Sequence, residues 1–304
     1  MRFALKIDVD TRRGMDEGVP RLLDTLAAAG VRATFFVSMG PDNSGKAALR
    51  LFRRRGFAGK MVRTNALRMY GLRTALSGTL LPARPVGSGR PDLLRAIVAA
   101  GHEAGVHGHD HVLWHDHLLE MSDADAAREL RRAADAFAEA LGRPPDCASA
   151  PAWIVAPGVL AEEERLHLRY AADVRGAAPF LPRLGGRVTT VPQVPTTLPT
   201  LDEVLGLGGV TEATFGAHVG SLAAAAGRDA VFTLHAEAEG MSFHRCLIDL
   251  LARLADAGAS PVPCGALLDG VEAARLPVHD VVLEEVPGRA GPLSVQGPRA
   301  GGPA

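Results

Sequence analysis

Cysteine is scarce in this chain: three residues in 304, at Cys147, Cys246 and Cys264, with no Cys-x-x-Cys pair. Three widely spaced thiols suggest neither a disulfide framework nor a thiolate metal site, and they favour a reducing compartment. Lysine is equally scarce, three residues against 30 arginines, which reads as genomic coding bias. No stretch reaches about 18 uncharged apolar residues, so no transmembrane helix is expected. The N-terminus has no secretory pattern; it opens on a strand-like run that carries Lys6 and Asp8. Charge of one sign is missing overall, the net being −1, yet it is unevenly spread. From Asn43 to Pro91 there are eleven Lys/Arg residues and no Asp or Glu, which leaves the rest of the chain acidic.

What is present is ordinary for a soluble globular protein: 47% apolar and 22% charged residues, enough for one large α/β domain or two small ones. Residues 3–9 read as a buried strand. Residues 16–29 have helical spacing closed by Gly30, and 33–38 are β-rich, so a βαβ unit and a parallel sheet are expected. Residues 47–79 form a basic, amphipathic helical insertion within 43–91, after the second strand. A helix is predicted over 92–100, then a short strand at 103–106. The clearest helix is 122–141, with Ser122 able to N-cap it. A strong buried strand at 230–234, a helix at 243–257 ended by Gly258, and a short strand at 261–264 follow. From about residue 284 to 304 the chain is rich in Pro and Gly and is expected to be a disordered tail.

Five polar residues in three places suggest chemistry. Asp8 and Asp10 lie at the end of the first strand, two residues apart and so on one face. Two carboxylates there repel unless a cation sits by them; the bland alternative is that Asp10 and Thr11 cap the next loop. His102 to His117 holds six of the eleven histidines. His107 and His111 have the i, i+4 spacing that lets two imidazoles share a metal from one helical face. His109 could serve instead if the segment is extended; His115 and His117 read as solvated or lipid-facing. His235 ends the 230–234 strand after Leu234, where an imidazole suits a general acid. Two histidines and a carboxylate make an open divalent-metal site, with a carboxylate and a histidine left for proton transfer: metal-assisted hydrolysis.

These motifs, in this order, resemble the polysaccharide deacetylase family, also called the NodB homology domain. The resemblance implies a distorted (β/α) barrel over residues 1–275. It implies Asp8 as catalytic base, Asp10, His107 and His111 as metal ligands, and His235 as the acid that protonates the leaving amine. The metal is expected to be one divalent ion, zinc first, with manganese or cobalt as alternatives. Longer phrases resemble one branch: Ile7-Asp8-Val9-Asp10-Thr11, Gly14, Glu17-Gly18-Val19-Pro20-Arg21-Leu22-Leu23, Gly40-Pro41-Asp42-Asn43, His167-Leu168-Arg169-Tyr170, Arg175-Gly176, Thr197-Leu198-Pro199-Thr200 and His235-Ala236-Glu237. That branch removes formate from undecaprenyl-phosphate-linked 4-deoxy-4-formamido-L-arabinose, in lipid A modification and polymyxin resistance. The resemblance implies a cytoplasmic enzyme held peripherally at the inner membrane; the few aromatics of the basic segment speak against nucleic acid, and no protein partner is inferred. Asp173, Arg175, Leu234 and Glu237 are expected to bind substrate or support the site. The family's third motif has an arginine that braces the base. The stretch Ser149-Ala150-Pro151-Ala152-Trp153 has none, so either Arg175, near Asp173, replaces it or the brace is missing. Arg53, Arg54, Arg55, Lys60 and Arg63 in the insertion, interleaved with apolar residues, suit an anionic membrane surface and a lipid phosphate. Two other readings stand beside this one: an N-deacetylase of another N-acyl sugar or glycan with the same fold, and a non-catalytic lipid-carrier binding protein.

Overall fold

Strand β1 (Phe3–Val9) is buried along its whole length and forms the axis of the fold. In the computed structural model, residues 2–46, 74, 76–259, 261–289 and 291–301 are described. Arg53, Arg54, Arg55, Lys60 and Arg63, and most of the expected insertion, lie outside the described residues. After β1 come β2 (Thr34–Val37), β3 (Glu103–Val106), β4 (Cys147–Ala148) and β5 (Tyr170–Ala171). Next are β6 (Leu181–Leu184), β7 (Arg187–Val188), β8 (Ala230–His235) and β9 (Pro261–Val262). The main sheet runs β5-β4-β3-β2-β1-β8, with β9 paired to the start of β1. Each of its ladders is parallel, as the alternation of strands and helices predicted.

The period of two along β1 sorts the side chains. Phe3, Leu5, Ile7 and Val9 join Phe35, Val37, Val106, Phe232 and Leu234 in the outer core, under the helices. Ala4, Phe36, Cys147, Tyr170 and Val231 form a second, inner core. Lys6 and Asp8 share the inner face of β1 with Ala4. The sheet therefore curls around its own interior. The gap between β5 and β8 is bridged by backbone hydrogen bonds from residues 192–198: Ala171 N donates to Pro192 O, Val194 N to Ala171 O, and Thr197 N to Val231 O, at 2.9, 2.7 and 3.1 Å. Pro192, Pro195 and Pro199 lack donors, so this closing segment cannot form a regular strand. The result is the distorted (β/α) barrel that was expected.

Helices Val19–Ala28, Pro91–Ala99, Asp123–Leu141 and His244–Asp256 fall where the spacing predicted them. Ser122 caps the third by accepting from Asp125 N at 3.2 Å. Among the described residues, no helix is long and apolar enough to cross a membrane. The expectation of a disordered tail over 284–304 needs correction. β10 (Val278–Glu285) and β11 (Pro292–Arg299) pair antiparallel, and β10 also pairs parallel with β6. With β7 they make a four-stranded sheet, so the fold continues past residue 275. The Pro/Gly content misled because it serves a hairpin turn, where Gly288 and Gly291 take φ of 86° and 99°. Leu293, Ser294 and Val295 beyond the turn are buried.

Candidate active site

Parallel strands deliver their C-terminal ends to one rim of the barrel, and side chains at those ends converge. Asp8 sits opposite His235 in the β1–β8 register. Val9 pairs with Val37, which pairs with Val106, so Asp10 and His107 leave the sheet at the same level, with β2 between them.

His107 and His111 meet, but not on one helical face. His107 follows β3, whereas His111 opens a separate short helix, His111–His117. Gly108 makes the turn between them with φ 66°, and a Cβ there would meet Pro151 and Trp114 at 3.1 Å. Asp110 caps the helix by accepting from Val112 N and Leu113 N. His107 Nδ1 donates to the Ser149 carbonyl at 2.9 Å, which turns its Nε2 lone pair inward. That Nε2 lies 3.4 Å from Asp10 Oδ1, and His111 Nε2 lies 3.5 Å from Asp10 Oδ2. Burial pushes His107 down to about 4 and His111 to about 3, so both imidazoles are neutral near pH 7. His109 points elsewhere, with Nδ1 4.0 Å from Glu129. His115 and His117 pair with Asp116 and Glu120 at the surface.

Asp8 is held differently. Its Oδ2 accepts from Lys6 Nζ at 2.5 Å, while Oδ1 is buried without a hydrogen-bond partner. Burial acts to raise its pKa, but the Lys6 ammonium, aided by His235, outweighs it and keeps Asp8 below the ordinary carboxylate value. For His235 burial acts to lower the pKa, and the carboxylates of Asp10, Asp8, Asp202 and Glu239 together raise it. Its backbone N donates to Glu239 Oε2 at 3.0 Å.

Glu237 organises the loop after β1. Its Oε1 accepts from Asp10 N, Thr11 N and Thr11 Oγ1, at 3.1, 2.8 and 2.8 Å. A Cβ on Gly14 would fall 2.0 Å from that oxygen, so only glycine admits the carboxyl there. Burial and the nearby Asp10 push Glu237 up to about 8.

Three sequence-picked residues do not reach the rim. Leu234 is fully buried in the outer core, because it faces away from His235 on β8. Asp173 exchanges hydrogen bonds with the Gln193 amide and lies against Glu163 in the interior. Arg175 gives Nη1 to Glu203 and Nη2 to the Leu198 carbonyl, at 2.6 and 2.9 Å, instead of bracing Asp8. Lys6 occupies that place. Its signal was in the sequence, since residues 6 and 8 of a strand share a face, but a lysine inside a barrel went against expectation. Trp153 was also missed. Its ring is faced by Lys6, Arg175 and Arg289 at 5.2, 5.1 and 4.5 Å. Ala152 and Trp153 both have positive φ, 55° and 53°, an uncommon conformation for residues with a Cβ.

Asp10, His107 and His111 offer one ligand atom each, all within 4.8 Å of one another. The His107 Nε2 lone pair and the neutral His111 imidazole face a carboxylate whose Oδ1 is buried with no hydrogen-bond partner. A divalent cation fits this donor set, with room left for other ligands.

Residues 7–171 match the family model described as polysaccharide deacetylase. The chain is 33% identical over 295 residues to a protein of Shewanella sediminis (strain HAW-EB3) named "Probable 4-deoxy-4-formamido-L-arabinose-phosphoundecaprenol deformylase ArnD", across 97% of this chain and 94% of that one. A protein of the same name from Wigglesworthia glossinidia brevipalpis is 28% identical over 285 residues, with 93% and 98% covered. Among solved structures, a protein assigned as a polysaccharide deacetylase from Mycobacterium smegmatis superposes with a TM-score of 0.60 at 18% identity, covering 94% of each chain. At that identity the superposition speaks for the fold alone.

Proposed function

The chain belongs to the polysaccharide deacetylase family, and from that premise we propose that it removes formate from undecaprenyl-phosphate-linked 4-deoxy-4-formamido-L-arabinose, with one divalent metal. It is a hydrolase of an amide C–N bond. The observation that carries the reading is the likeness, over nearly the whole chain, to two relatives named as deformylases of that lipid-linked sugar. The rim of the barrel supplies groups suited to the reaction.

In this reading Asp10, His107 and His111 hold the cation, zinc first, with manganese or cobalt compatible with mixed N/O ligands. When bound, the cation supplies Lewis-acid polarisation of the formyl carbonyl and acidifies the attacking water. Asp8 accepts the water's proton through its unpartnered Oδ1 as the new C–O bond forms. The carboxylates around His235 raise its pKa and favour the imidazolium, which gives a proton to the sugar nitrogen as the C–N bond breaks. Formate leaves, and the free amine stays on the sugar. Glu237 fixes the backbone of Asp10 and Thr11 and so the aim of the Asp10 carboxylate.

The finer setting is proposed on the same basis: a step in lipid A modification and polymyxin resistance, at the cytoplasmic face of the inner membrane. The basic residues over 43–91 would meet its anionic surface. Mass spectrometry of the lipid-linked formamido sugar after incubation with the protein tests the reading. Loss of mass equal to one CO is the expected result. An unchanged substrate, beside turnover of an N-acetyl sugar, would replace it with a deacetylase.

A further inference from the structure

We propose that Lys6 is the positioning residue of this site: its ammonium clamps one oxygen of Asp8, keeps that carboxylate out of the cation's donor set and leaves its other oxygen for the reacting water. The inference rests on the reading of Asp8 as proton acceptor.

Lys6 is fully buried, and its Nζ sits 2.5 Å from Asp8 Oδ2. Residues two apart on a strand share a face, so the pair is built into β1 itself and needs no other element to align it. Rings wall the ammonium in, with Phe36 at 5.4 Å and Trp153 at 5.2 Å. A buried cation with apolar walls stays charged only where a carboxylate meets it.

The placement of Asp8 makes the clamp consequential. Its Oδ2 lies 3.9 Å from His107 Nε2, the same nitrogen that faces Asp10 Oδ1 at 3.4 Å. Asp8 is thus close enough to become a fourth protein ligand. It stays out of the triad of Asp10, His107 and His111 while Lys6 holds Oδ2. A site with four protein ligands is closed and structural, whereas catalysis needs an open position. The lysine ammonium is a point charge and takes one oxygen of the carboxylate.

The test compares zinc-loaded wild type with Lys6→Met, Asp8→Asn and the double variant. The readouts are kcat and KM on the lipid-linked formamido sugar, and zinc affinity by chelator competition. Lys6→Met should lower kcat on the order of 10²-fold, as for a misplaced catalytic group, with KM little changed. It should also bind zinc more tightly, because the freed carboxylate joins the donor set. Within the Asp8→Asn background, Lys6→Met should cost no further turnover and should not tighten zinc. If Lys6→Met does not fold, the double variant, which removes both charges, carries the test against Asp8→Asn. Additive losses in the double variant would overturn the inference. So would zinc affinity falling in step with kcat, which marks a structural lysine. Low turnover by Asp8→Asn beside undiminished turnover by Lys6→Met would overturn the inference alone. Full turnover by Asp8→Asn would overturn the proton-acceptor reading, and the inference with it.

Discussion

Replacing Glu239 with glutamine should flatten the pH dependence of stability. Glu239 is fully buried beside His235. Its Oε2 accepts the His235 N–H at 3.0 Å, and its Oε1 has no hydrogen-bond partner. Burial pushes its pKa up to about 7, from 4.5 when exposed. The folded state therefore holds this proton over a range in which the unfolded chain has released it. The contribution of Glu239 to stability falls as pH rises from about 4.5 to about 7 and is flat beyond, each unit of pKa being worth about 1.4 kcal/mol. Integrated between pH 5 and pH 8, the loss comes to about 2.5 kcal/mol. Glutamine does not titrate. Its amide N–H groups near Oε1 would lack an acceptor and cost about 1–3 kcal/mol, but equally at both pH values. The assay is urea unfolding of metal-free wild type and Glu239→Gln at pH 5 and pH 8, read as a difference of differences. The variant should gain about 2.5 kcal/mol on wild type between the two pH values. Parallel pH profiles, within about 0.5 kcal/mol, would refute the reasoning, because surface-like behaviour is all they would require.

Three further perturbations have definite outcomes. His107→Ala or His111→Ala should abolish both metal content and turnover, since each removes one of three protein ligands; stoichiometric metal in both variants, measured by elemental analysis, would reject the ligand set. Leu293→Ala, in the hairpin that composition assigned to disorder, should cost about 2–5 kcal/mol, and so lower Tm by several degrees, as for a buried leucine; an unchanged melting curve would return residues 284–304 to a tail. Neutralising Arg53, Arg54 and Arg55 together should weaken binding to anionic liposomes by roughly two orders of magnitude at low salt, at about 1 kcal/mol for each charge, and less as salt rises; co-sedimentation unaffected by the triple substitution would remove the membrane role.

The five residues at the rim were legible because strand ends write a plain signal: apolar runs at 3–9 and 230–234 stop at a polar residue, and parallel strands bring those stops together. The helices were legible for the same reason of period. What stayed hidden depended on contacts between distant segments. Residues 192–198 close the barrel without reading as a strand, since prolines interrupt both the pattern and the ladder. The His107–His111 spacing suggested one helix, but Gly108 turns the chain between them. Arg175 looked like a brace because of its charge and its neighbour Asp173, yet its guanidinium is taken by Glu203 and the Leu198 carbonyl. Lys6 was hidden by prior expectation alone, as lysine is seldom fully buried unless paired.

The hairpin of β10 and β11 and the cluster of Asp10, His107 and His111 are linked through one loop. Ser294 Oγ accepts the Val155 N–H at 3.1 Å, and Arg289 lies over the Trp153 ring. Arg289 also donates to Glu203, which accepts from Arg175 on the same ring. These contacts pin residues 153–155 from the outside, while Trp153 Nε1 donates to Thr196 Oγ1 on the inside. A few residues upstream in that loop, the Ser149 carbonyl fixes the His107 ring. The order of the imidazole lone pair thus depends on a segment more than a hundred residues away in sequence, which explains why the tail's Pro and Gly content could not reveal its part in the site. An aromatic ring held among Lys6, Arg175 and Arg289 also joins the two halves physically: the same indole that the hairpin clamps forms one wall around the ammonium that holds Asp8.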